Sequence, residues 1–153
     1  MTERISRLQI GCVPEGAVSG PILLQSDSAT FLIFNAMRES DGASVDAGRA
    51  IITFDECWVT KFGYPNDEAW SSIPRTAGLS YDVHEVLDSD WVKETTHLNR
   101  YAFPNTPDST SRHFLILFHD SSFECIAADL SCRLSSAPVS EILSQLTRQL
   151  LED

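Results

Sequence analysis

The stretch RHFLILFHDSSFECIAADL, Arg112–Leu130, holds two dense apolar runs separated by Asp120, Ser121 and Ser122. Arg112–Phe118 and Phe123–Leu130 are strand-length, and a short polar triplet between apolar runs is a turn signal. The spacing predicts a tight antiparallel hairpin. With Ser121-Ser122 as its loop, Asp120 pairs with Phe123, His119 with Glu124, Phe118 with Cys125 and Leu117 with Ile126. Apolar residues on both faces mark a central, well-covered pair.

After the hairpin, Ser136 can cap a helix with Pro138 in its first turn. Val139, Ile142, Leu143, Leu146 and Leu150 fall at helical spacing, so this helix is expected to cover the hairpin's sheet. Before the hairpin, Ser89 and Asp90 suit the start of a helix carrying Trp91, Thr95 and Leu98 on one stripe. Tyr81, Val83, Glu85 and Leu87 alternate as a strand. Residues 63–78 show no period and read as a long loop.

Upstream, Arg49–Phe62 alternates with Ala50, Ile52, Phe54, Trp58 and Phe62 on one face, interrupted by Glu56. With Thr30–Met37 it forms a hairpin whose wide tip carries Glu39, Asp41 and Asp46. Pro21–Gln25 and the alternation of Leu8, Ile10 and Cys12 give two more strands. The order of elements predicts one α+β domain over residues 1–153. It is mainly antiparallel, with about seven strands able to curl into a sandwich or half-barrel, and two helices.

The chain of 153 residues carries 11 Lys and Arg against 22 Asp and Glu, a net charge of −11. That balance argues against nucleic-acid or anionic-membrane binding, which needs a basic face. No apolar run approaches a membrane span, and residues 1–7, MTERISR, do not read as a targeting segment. A cytoplasmic protein is expected. Cys12, Cys57, Cys125 and Cys132 are sparse and lack metal-ligand spacing, so reduced thiols are expected. No motif calls for a cofactor or metal. His84-Glu85 is followed by Asp88 where a zinc-binding helix needs its second histidine.

Two clusters carry candidate chemistry. His119 beside Glu124 could act as a base oriented by a carboxylate, and Glu56, set among apolar neighbours, could supply a second carboxylate. The loop containing Tyr64, Asp67 and Glu68 leads to Trp70. It reads as a recognition loop with Trp70 as anchor, Asp67 and Glu68 as charged rim and Trp58 nearby. The first expectation is a small acidic binding module that recognises a protein partner. In its concrete form it is an inhibitor or immunity-type protein steered toward a basic partner. The alternative is a small hydrolase or isomerase using His119, Glu124 and Glu56.

Overall fold

A computed structural model describes residues 2–152. The described chain forms ten strands and three helices. In order these are β1 (Arg4–Arg7), β2 (Val13–Pro14), β3 (Ile22–Gln25), β4 (Thr30–Ser40), β5 (Ala43–Asp55) and β6 (Val59–Gly63). Then come α1 (Asp67–Trp70), β7 (Val83–Leu87), α2 (Asp90–Asn99), β8 (Arg112–Leu117), β9 (Ser122–Ala127), β10 (Asp129–Ser135) and α3 (Val139–Glu152).

The strands build two antiparallel sheets. The first runs β1-β7-β8-β9-β6, and the second runs β10-β5-β4-β2, with β3 also on β4. Alternation along each strand sends one set of side chains between the sheets. Leu32, Phe34, Ala36, Ala50, Ile52 and Phe54 of the second sheet meet Val83, Phe114, Ile116, Phe118, Phe123 and Cys125 of the first. Phe34 packs edge-on against Phe118, with ring centres 5.4 Å apart. The α+β class read from the sequence is the class observed, with more strands than anticipated.

Both outer faces are covered as well. The odd residues Phe31, Ile33 and Ile51 point away from the sandwich interior and receive Ile142 and Leu146 of α3. The C-terminal helix therefore lies on β4 and β5, not on the 112–130 hairpin as its sequence position suggested. The back of the first sheet is covered by the segment after β6. Trp70, Leu79 and Tyr81 pack there against Val86, Leu115 and Leu117.

The hairpin itself is looser than the sequence reading. Leu117 pairs with Ser122 and Leu115 with Glu124, leaving residues 118–121 as the loop. Phe118 N–H donates to the Ser121 carbonyl at 3.0 Å and closes that loop. Relative to the expected pairing the register shifts, so His119 leaves the ladder and does not face Glu124.

β9 also ends earlier than expected, because the chain changes sheet at Ala128. Its partner does the same: β5 belongs to the second sheet and β6 to the first. One two-stranded ribbon thus bends from one sheet into the other. At the bend Asp129 pairs with Asp55 and Ile126 with Val59, so residues 56–58 oppose only 127 and 128. The extra residue is a bulge, and Glu56 takes the left-handed conformation there, with φ 49°.

Candidate functional site

The buried back of the first sheet holds the chain's main polar network. Glu124 sits in β9 with its side chain on that face, diagonal to His113 of β8. His113 Nε2 and Glu124 Oε1 are 2.8 Å apart, and His113 is 1% exposed. Arg75, from the segment lying over this face, donates to the same oxygen through Nη1 and Nη2 at 3.2 Å each. Burial alone would raise the Glu124 carboxyl, but His113 and Arg75 outweigh it and hold it below the ordinary carboxylate value. On the far side of the ring, Ser89 Oγ lies 2.7 Å from His113 Nδ1. Ser89 also caps α2, accepting from Val92 N–H at 3.1 Å. Trp91 packs edge-on against the His113 ring at 5.1 Å.

His119 belongs to a separate cluster. Asn66 caps the short helix α1 through Ala69 N–H, which places Asp67 in the first turn beside the 118–121 loop. Asp67 Oδ2 meets His119 Nδ1 at 2.6 Å and accepts from Tyr81 Oη at 2.7 Å. The Tyr81 bond, then His119, holds the Asp67 carboxyl below its usual range against the effect of burial. The same bond pushes the Tyr81 phenol up to about 12. His119 is thus oriented by a carboxylate, as the sequence reading required, but that carboxylate is Asp67.

The sequence-derived site residues are distributed as follows. Glu124 and His119 sit in different hydrogen-bonded groups, and Glu56 lies exposed at the ribbon's bend, so the three do not form one pocket. Trp70 is not an exposed anchor: it is 4% exposed, and its Nε1–H donates to the Phe118 carbonyl at 3.1 Å. A one-turn helix folds it back onto the sheet, which a window without periodicity conceals. Glu68 is exposed, and Asp67 is committed to His119 and Tyr81.

The residues the sequence reading missed are Arg75, Ser89 as a side-chain partner, and His113. One signal was present. A glutamate inside an apolar strand needs a cation or donors nearby, and His113 shares its face.

A different surface gathers the exposed aromatics. β6 is an edge strand, paired only with β9 among the described residues. Trp58, Phe62 and Tyr64, at even spacing along it and its flanks, are 48%, 43% and 85% exposed. Thr60 stands between them, its Oγ1 2.8 Å from Gln25 Oε1 of β3. Exposed Asp55 and Glu56 precede the strand and exposed Glu68 follows it. Lys61 points to the opposite face and lies 4.0 Å over the Trp91 ring.

The four cysteines are free and form two facing pairs, Cys12 with Cys132 and Cys57 with Cys125. Among the described residues no cluster of three or more His, Cys, Asp or Glu could hold a metal ion, and no helix is long and apolar enough to cross a membrane. Comparison with protein-family models, curated proteins and solved structures finds no match.

Proposed function

We propose that the protein is a binding module that recognises a polypeptide partner along β6. The observation that carries the reading is the row of exposed aromatics, Trp58, Phe62 and Tyr64, on and beside an edge strand that has one side unpaired among the described residues. An edge strand offers unpaired backbone groups to an incoming extended segment, and side-chain pockets at alternate positions select it. Aromatic side chains supply large contact area at low entropic cost and dominate the energetics of such surfaces.

Charge points to the partner's chemistry. Asp55 and Glu56 at one end of the row and Glu68 at the other suit a segment with apolar side chains flanked by Lys or Arg. The net charge of −11 adds long-range attraction for a basic protein. An inhibitor or immunity-type role against a basic enzyme is the concrete form of this reading. Trp70 plays no direct part in it; Tyr64 and Trp58 remain, joined by Phe62.

The test is selection from a displayed library of linear peptides, followed by affinity measurement. Enriched peptides should be apolar and basic. Phe62→Ala and Tyr64→Ala should each weaken binding by about 2 kcal/mol, the scale of an interface hot spot, with melting unchanged for Tyr64→Ala. Peptides that bind both variants as tightly as the native protein would refute the reading.

A further inference from the structure

Ser89 occupies an unusual junction. β7 ends at Leu87, Asp88 takes the left-handed conformation with φ 54°, and Ser89 then opens α2 as its N-cap. The left-handed backbone is costly for a residue with a side chain, and such conformations concentrate where a side chain must be aimed. Here the turn aims the Ser89 hydroxyl at His113 Nδ1, 2.7 Å away.

The tautomer follows from the partners. Glu124 is held ionised and can only accept, so His113 Nε2 carries the proton it donates across 2.8 Å. In the neutral ring Nδ1 is then bare and accepts the Ser89 hydroxyl proton. The order serine, imidazole, carboxylate is that of an activated nucleophile, with the two ring nitrogens exchanged relative to the common arrangement. Val92 N–H, donating to Ser89 Oγ at 3.1 Å, and the positive end of α2 both favour negative charge on that oxygen.

Ser89 and His113 also line a cleft of about 610 Å³, bounded by α2 on one side and residues 108–112 on the other. Its cations are already paired: Arg112 with Glu85 and Asp129, Arg100 with Asp108, Lys93 with Asp90. A cleft with its charges internally neutralised suits an uncharged ligand.

We propose that Ser89 is an acyl-accepting nucleophile, with His113 as its base and Glu124 as the positioning residue, acting on small neutral carboxylic esters. This activity goes beyond the binding role at β6 and uses none of its residues. Ser89 Oγ bonds to the ester carbonyl carbon as its proton passes to His113 Nδ1. The tetrahedral intermediate collapses, the bond to the leaving oxygen breaks, and that oxygen takes the proton from Nδ1 and departs as the alcohol. Water then repeats the sequence on the Ser89 ester: its proton goes to Nδ1, its oxygen bonds to the carbonyl carbon, and Ser89 leaves with the proton restored. Ester and water give acid and alcohol.

The experiment treats the full chain with an alkyl fluorophosphonate, followed by intact mass and peptide mapping, and with p-nitrophenyl acetate in a stopped-flow burst assay. The expected result is one phosphonyl group, located on Ser89, and a burst of one p-nitrophenolate per chain. Ser89→Asn keeps an N-cap acceptor and should abolish both. His113→Gln should slow labelling by about 100-fold, the scale of general-base catalysis. Glu124→Gln should slow it too, and Glu124→Asp, which keeps the charge, should recover part of the rate. An unlabelled native protein, a label on another residue, or equal labelling of Ser89→Asn would overturn the proposal. The native peptide map decides by itself if the variants do not fold.

Discussion

The imidazole of His113 and the carboxylate of Glu124 meet at 2.8 Å across adjacent strands, packed beside Trp91 and Arg75. A carboxylate in that position stabilises the fold only while it is ionised. Its folded pKa lies below the ordinary 4.5, so its contribution is present above that value and is lost as pH falls through the lowered one. At pH 7 Glu124→Gln should cost about 1–3 kcal/mol, since His113 and Arg75 lose a charged acceptor. Below the ordinary carboxylate range the gap to the native protein should close. Urea melts of both proteins at neutral and acid pH check this; a gap that does not change with pH would contradict it.

Trp70 and Tyr64 should behave as opposites. Trp70 is packed on Leu115, Leu117 and Val86, so Trp70→Ala should cost about 3–5 kcal/mol. Tyr64 is 85% exposed, and Tyr64→Ala should change stability by less than about 0.5 kcal/mol. Denaturant melts with unchanged slope give both numbers. A Trp70→Ala cost near zero would place the ring outside the core.

The fold class was legible because β5 and β7 alternate, β4 and β8 are dense apolar runs of strand length, and the α3 stripe is regular. The connection of β4 to β5 was misread as a wide tip: it is the Asp41-Gly42 pair alone. Both residues have positive φ, 52° and 78°, and join Ser40 to Ala43 as a two-residue turn. The hairpin register was not legible, since two apolar runs can pair in several ways and the choice of a four-residue loop is made by packing at Phe118. Glu56 was misplaced for a related reason: counting in twos fails across a bulge. The candidate site was half visible. Glu124 and His119 were singled out, but their partners, His113 and Asp67, are set by register and by a one-turn helix.

The seam between β5 and β10 rests on a glycine. Gly48 has φ 77°, and a Cβ there would stand 2.5 Å from the Ser135 carbonyl oxygen. Backbone cannot yield as a flexible side chain can, so Gly48→Ala should cost about 2–3 kcal/mol. Thermal melting measures it. A neutral substitution would show that the two strands separate there without loss.

Cys57 should react ahead of Cys125, the thiol it faces. The Cys125 thiol hydrogen-bonds to it and, against the effect of burial, lowers it to about 7, while burial pushes Cys125 up. At pH 7 and limiting iodoacetamide, mass spectrometry should find Cys57 carboxamidomethylated well before Cys125. The reverse order would contradict the pairing.

The binding role at β6 is tested most directly by amide hydrogen exchange on the native protein, free and with the tightest peptide from a displayed library. An incoming strand must bond the backbone groups that β6 leaves unpaired, so Val59–Gly63 should gain protection, with the rest of the first sheet little changed. Protection confined to another surface, such as the cleft between α2 and residues 108–112, with β6 exchanging as in the free protein, would contradict the account.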